Sequence, residues 1–481
     1  YFHKNMMSSL ISNDQLTVAI ANLATHKNVK QALQFFDKRR EWIRKYESIE
    51  EFAFEAFEHD PNMASAVEHH LVAIRRAVVK ELWNRQIFLS VNIIEELIFS
   101  CLIHEDNDVI SKFAAAIVDN GLHHAGMVLY PLHSFGFLQD NIFSFNPSSS
   151  TAKLNLSKAG VSLTHQTNSV DRSISFLEDV RKRQGITQAV PRDLIQHYYV
   201  SRDLKWLKRN PLMAVKVTSY AGGRYENQRI LGLKLRLSTA LIAMVAVMGK
   251  TKTFSKEGGN ASTSFVNNWQ TLDIKHFLVF QANPNASVMH IDCVPIHFER
   301  VEMAELSDLG VDIDPAAWSD SKRRLLAKIR ASLVLFEANY IKHCVVGAGN
   351  DHRTRLYRKL LTSLNYFRRS LRARGVAADN VVALAIAFET LLTDFYARGV
   401  TEKIHERIRK CLYRQKGAQL LCEAVRELFW ARGGVVHLGD AILPQTIWLA
   451  HKAYVQSFIY VVAGLENISP REQHSITKLF D

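Results

Sequence analysis

Cysteine is scarce and scattered. The five thiols, Cys101, Cys293, Cys344, Cys411 and Cys422, form no CxxC pair and are odd in number. Neither a zinc site nor a disulfide framework is encoded, and a reducing cytoplasm is the expected compartment. Proline and glycine are sparse, 10 and 21 in 481 residues, which excludes collagen-like and low-complexity chains. Long apolar runs are missing: the longest, Ala240 to Met248, is nine residues and too short to span a bilayer. No secretory leader stands out, and no membrane partner is expected. Gly222-Gly223 and Gly258-Gly259 are followed by no Gly-Lys-Ser/Thr, so no P-loop for nucleotide phosphates is encoded.

What is present in excess is positive charge. The net charge is +13, which favours a polyanionic partner such as nucleic acid. The imbalance is local. Between Asp320 and Gln415 there are 20 Lys and Arg against 8 Asp and Glu, a net +12. A basic but merely solvated surface is the plainer alternative.

The length accommodates two to four domains. Residues 1–145 read as a helical region, with apolar positions three and four apart from Val29 to Tyr46 and from Met63 to His104. Asp60-Pro61-Asn62 is a helix-start signal. The doublets His69-His70 and His123-His124 are poor metal sites, because neighbours on a helix point about 100° apart. Residues 146–210 combine a Ser- and Asn-rich linker, including Pro147-Ser148-Ser149-Ser150, with helices. Residues 211–310 read as a small α+β region: Val215–Thr218, Phe277–Phe280 and Val288–Ile291 are β-type runs, and Asn283-Pro284-Asn285 is a turn signal. Leu231 to Met248 is ambiguous, alternating first and then continuously apolar. Six helical segments follow from Ser321, within a bundle over 316–466, and 467–481 form a tail.

An arginine and a histidine separated by four to six residues can divide the work of RNA cleavage: a permanent cation beside a group that titrates near neutrality. Three such pairs occur, Arg192/His197, Arg398/His405 and Arg432/His437. With 33 Arg and 20 His in the chain, that number is what chance produces, so context must decide. Arg192 follows Pro191 at an ordinary helix start, and Arg398/His405 reads as helix-end charge. Arg432-Gly433-Gly434-Val435-Val436-His437 lies between two late helical patterns, where the glycines predict a corner.

The order of elements around that pair carries a resemblance. Ala385-Ile386-Ala387-Phe388-Glu389-Thr390-Leu391-Leu392 puts one acid in an apolar helix. Thr401-Glu402-Lys403-Ile404-His405-Glu406-Arg407-Ile408 follows, and then Trp430-Ala431-Arg432 leads to His437. This succession resembles the HEPN superfamily, particularly its antiphage and abortive-infection nucleases, over about 140 residues from Ser321 to Gly464. Residues 1–310 resemble no known family. The fold implied is mainly α, with a small β-containing middle region and a HEPN-like helical bundle at the C-terminal end.

The resemblance implies a metal-independent endoribonuclease that needs no cofactor and works as a homodimer or higher even oligomer. It implies a toxin-like role in antiviral defence, with the N-terminal region sensing a phage-derived trigger. Arg432 and His437 match the catalytic motif, and Glu389 and Arg407 are supporting candidates. The family commonly carries Asn, Asp or His directly after the arginine, where this chain has Gly433. Arg355, Arg358, Lys359, Arg369 and Arg372, interleaved with Tyr357, Tyr366 and Phe367, are candidates for holding an RNA backbone. A catalytically inactive HEPN-like RNA-binding or dimerisation module is the alternative.

Overall fold

The computed structural model describes residues 13–85, 87–89, 91–105, 108–132, 136–137, 153–156, 161–164, 169–200, 204, 206–210, 212–217, 220–221, 226–249, 278–281, 287–292, 309–313, 320–346, 351–372, 377–395, 399–439 and 444–481. The expected features at Pro147–Ser150, Asn283–Asn285 and Arg398 lie outside these residues. The described residues are mainly helical, with a small antiparallel sheet in the middle of the chain.

The five longer helices that open the fold are α1 (Asn13–Ala21), α2 (Lys27–Ile43), α3 (Pro61–Asn84), α4 (Val91–His104) and α5 (Val109–Asp119). Helix α3 begins where its start signal places it. The Asp60 carboxylate accepts the Met63 amide at 3.1 Å, and Pro61 occupies the first turn, where its missing N–H costs nothing. Its buried residues Ala64, Val67, Leu71, Ile74, Val78 and Leu82 keep helical spacing and form one apolar stripe.

The six-stranded sheet comprises β1 (Gly126–Pro131), β2 (Lys153–Leu156), β3 (Val161–Thr164), β4 (Leu212–Val217), β5 (Leu278–Gln281) and β6 (His290–Asp292), in the order β2-β3-β4-β1-β5-β6. All neighbours are antiparallel. Two parts of it depart from the sequence reading. β1 falls in the region read as helical, and the β2–β3 hairpin falls in the stretch read as linker. β1 has no polar alternation because both of its faces are covered. Val128 and Tyr130 enter one core, and Met127 and Leu129 the other. A continuous apolar run of this kind does not declare its period. Gly126 is required there, since a Cβ would stand 2.2 Å from the Phe280 carbonyl oxygen across the β1–β5 pair.

One face of the sheet carries the smaller core, with α6 (Val170–Gln184) and α7 (Arg192–Val200). The other face meets α8 (Glu226–Gly249), which resolves the ambiguous stretch as a helix. By length and composition, Gly232–Gly249 is apolar enough to cross a membrane, and 83% of that window is buried within the fold. The later helices are α9 (Asp320–Tyr340), α10 (His352–Arg369), α11 (Ala377–Leu392), α12 (Val400–Leu412), α13 (Ala418–Leu438), α14 (Ile447–Leu465) and α15 (Ser475–Phe480). Helix α8 packs against α9, α10 and α14 as well as the sheet. One continuous core joins the later helices to α1–α5. A shielded ion pair, Lys234 Nζ to Glu337 Oε1 at 2.6 Å, pins α8 to α9.

The segment read as a tail is docked by its end helix. The Asp394 carboxylate, just beyond α11, accepts the amides of Ile476 at 2.9 Å and Thr477 at 2.7 Å. That satisfies two of the orphan N–H groups at the start of α15.

Candidate active site

The Arg432/His437 pair lies on α13, not at a corner between helices. Helix α13 runs without a break through Gly433 and Gly434 to Leu438. Of the three glycines near this end, only Gly439 adopts a left-handed backbone, with φ +73°, and its amide bonds back to the Gly434 carbonyl. Two helical glycines cost about 1 kcal/mol each relative to alanine. The burial of Leu421, Ala424, Val425, Leu428, Phe429 and Ala431 on one face outweighs that cost. A Cβ on Gly433 would meet nothing within 4 Å. Gly433→Ala is therefore expected to raise stability by about 0.5–1 kcal/mol, read from the urea midpoint; an unchanged or lowered midpoint would mean the helix is interrupted there.

Helical continuity sets the geometry of the pair. Five residues on a helix turn the chain through about 140° and advance it about 7.5 Å. Arg432 falls on the side that carries Leu428 and Ala431, and His437 falls on the exposed side. Arg432 Nη2 reaches Glu389 Oε1 on α11 at 3.5 Å, while its Nε has no hydrogen-bond partner. The two side chains are 35% and 28% exposed, so the pair contributes at most about 1 kcal/mol to stability. Its effect is positional: it ties the guanidinium to the acid of the apolar α11 helix.

Arg407 joins neither member. It donates to the Leu392 carbonyl at the end of α11 and to Thr477 Oγ1 at 3.0 Å, and it lies over the Phe480 ring at 5.5 Å. Its cation therefore binds α15 to the end of α11, a role that the helix-end carbonyls and aromatic ring favour.

The basic row on α10 separates into different environments. Arg355, Arg358 and Arg369 fall within about 60° of one another around the helix. Arg355 and Arg358 are exposed, and Arg369 lies over the Tyr366 ring at 5.4 Å. Arg372 is half-buried just past the helix end. Arg353 is buried and bonds the Ile468 and Ser469 carbonyls. Tyr357 and Phe367 are buried as well, so of the three interleaved aromatics only Tyr366 reaches the surface.

Lys359 turns inward to the Thr393 carbonyl and hydroxyl, the latter at 3.1 Å. Burial pushes its ammonium down to about 8, with Asp394 opposing the shift and Arg407 adding to it. Because the folded-state value lies below that of the unfolded chain, the stability penalty of charging Lys359 is fully present below about pH 8. It fades as pH rises toward the ordinary lysine value of roughly 10.4. Wild type is thus expected to gain stability relative to Lys359→Met across that window, measured by urea unfolding at several pH values. Parallel curves would contradict the burial of the ammonium.

The remaining candidates lie elsewhere in the fold. Arg192 and His197 lie at opposite ends of the nine-residue α7. His70 stacks on Phe35 with centroids 4.2 Å apart, and burial lowers its proton affinity, with His69 adding to the effect. His123 Nε2 lies 3.0 Å from Asn13 Oδ1. Among the described residues, no three His, Cys, Asp or Glu side chains gather as a metal-ligand set. No family model, curated protein or solved structure matches this chain.

Proposed function

We propose that the chain is a metal-independent endoribonuclease of HEPN type. The observation that carries this reading is the Arg432–Glu389 pair, which joins α11 to α13 on the helix that also carries the exposed His437 on its other side. Those are three of the four residues that the family resemblance singles out, Arg407 being engaged elsewhere. In this reaction the His437 imidazole takes the proton from a ribose 2′-hydroxyl. The 2′-oxygen attacks the adjacent phosphorus, the bond from phosphorus to the 5′-oxygen breaks, and a general acid returns a proton to that leaving oxygen. Arg432 neutralises the charge that grows on the non-bridging oxygens. The products are a 2′,3′-cyclic phosphate and a 5′-hydroxyl.

Because Arg432 and His437 diverge by about 140° on one helix, the reading requires a second copy of the chain, so that His437 of one protomer and the guanidinium of another meet at one phosphate. We further propose a cytoplasmic defence effector, with the N-terminal helices and sheet as the region that senses a phage-derived trigger. The test is incubation of the protein with total RNA in EDTA. Fragments ending in a 2′,3′-cyclic phosphate support the reading. Absence of cleavage in every activating condition removes it.

The same divergence favours a second reading, a non-catalytic HEPN-like module that binds RNA or dimerises. Under that reading the protein binds RNA and leaves it intact, and Gly433 stands where the family's orienting side chain is missing.

A further inference from the structure

Helix α13 presents an unusual exposed face. Trp430 is 76% exposed and makes no ring contact with any described side chain. A buried indole contributes strongly to stability and an exposed one contributes little, so its placement calls for a role outside the core. By helix geometry Arg426 lies about 40° from it and one turn earlier, and His437 lies about 20° from it and about 10 Å further on. Gly433 and Gly434 occupy the turn between Trp430 and His437, and the space over Gly433 is open.

The start of this face is basic. Arg409 of α12 and Arg426 of α13 make no hydrogen bond or ion pair among the described residues. Both lie within electrostatic reach of His405, whose proton affinity is lowered by burial first and then by these two guanidiniums, with Glu402 opposing. Both are exposed, and exposed guanidiniums without a protein partner suit a phosphate better than a structural role. Two carboxylates also lie on this side, Glu427, which accepts the Thr446 hydroxyl, and Glu423, which accepts from Gln419 at 2.9 Å.

We propose that this face is the track along which single-stranded RNA lies. Arg409 and Arg426 hold a phosphate, the Trp430 indole stacks a base, and the bare backbone at Gly433 and Gly434 lets the strand lie close as it runs to His437. Only the role of His437 rests on the ribonuclease reading. Stacking demands an unpaired base with a free face, which selects single strands over duplex and tolerates any base. Phosphate charge, aromatic stacking and close backbone approach occur here in order along one line.

The experiment measures binding separately from cleavage. The full chain carrying His437→Ala is titrated against a dye-labelled single-stranded oligouridylate and, in parallel, a duplex of equal length. Adding Trp430→Ala is expected to weaken single-strand binding roughly five- to hundred-fold, the factor for one lost base stack, and to leave duplex binding unchanged. Trp430→Phe retains most of the affinity. Arg409→Gln with Arg426→Gln lowers the slope of affinity against salt. Undiminished single-strand binding by Trp430→Ala overturns the proposal. So does a change of that variant from dimer to monomer with RNA affinity intact, which would make the face an interface between copies. Wild type that binds single strands through Trp430 yet cuts nothing upholds this inference and removes the ribonuclease reading.

Discussion

Replacing His437 with alanine is expected to slow RNA cleavage by about a hundred- to ten-thousand-fold, the usual contribution of a positioned acid or base. Stability should change by less than about 1 kcal/mol, because the ring is exposed in the last turn of a helix. Arg432→Ala is expected to cost roughly a hundred- to thousand-fold, as for loss of a donor to transition-state charge. The two variants should differ in a second measurement. Arg432→Ala leaves the half-buried Glu389 carboxylate without its cation, whereas His437→Ala leaves no partner behind. Arg432→Lys keeps the charge and loses the planar fork, so it should recover little activity. Glu389→Gln should act through Arg432, lowering the single-turnover rate by at most about fivefold, the roughly 1 kcal/mol ceiling of a partly exposed ion pair. Single-turnover cleavage of a labelled RNA decides the matter. Equal rates for wild type and His437→Ala would remove His437 from the chemistry, whatever Arg432→Ala does.

The second large effect lies one residue from the candidate site. Phe388 is fully buried on α11, edge-on to Tyr454 at 5.5 Å and tilted against Phe429 at 6.5 Å. Tyr454 in turn stacks on Phe367 at 4.5 Å and shares a 2.7 Å hydrogen bond with Ser363. Removing the Phe388 ring deletes the contact that joins α11, α13 and α14. Phe388→Ala is expected to destabilise by about 3–5 kcal/mol, read from urea unfolding with an unchanged slope. It should also reduce any cleavage in proportion to the unfolded fraction, because the separation of Glu389 from Arg432 depends on how α11 packs on α13. A loss below about 1 kcal/mol would mean that this ring is not packed as described. Phe388→Leu, which keeps most of the volume, should recover much of the loss.

The six late helices were legible because each buries one stripe and exposes another. Leu356, Leu360, Leu364 and Phe367 on α10, or Ile404, Ile408, Cys411 and Leu412 on α12, repeat at three and four residues. Strands β4, β5 and β6 were legible from β-branched and aromatic runs bounded by turn residues. β1 was not, because a strand covered on both faces loses its alternation. The β2–β3 hairpin was hidden by the polar composition around it, although Leu154 and Leu163 pair across it in register.

At the candidate site the same division holds. Composition located the positive charge, and the order of an acid, a basic helix and an Arg–His spacing located the residues to test. Three adjacent facts needed the folded chain. Gly433 and Gly434 stay helical while Gly439 ends the helix, since glycine tolerates both backbone conformations and only packing selects one. Arg432 pairs with Glu389 while Arg407 binds α15, because both arginines have the reach and the helix positions choose between them. Trp430 faces outward beside Gly434 instead of joining the core, because α13 presents its other side to α11, α12 and α14. Residue types and their periods are properties of the chain alone, so fold class and charge follow from them. Which of several equivalent side chains meet is a property of helix packing, and no local pattern encodes it.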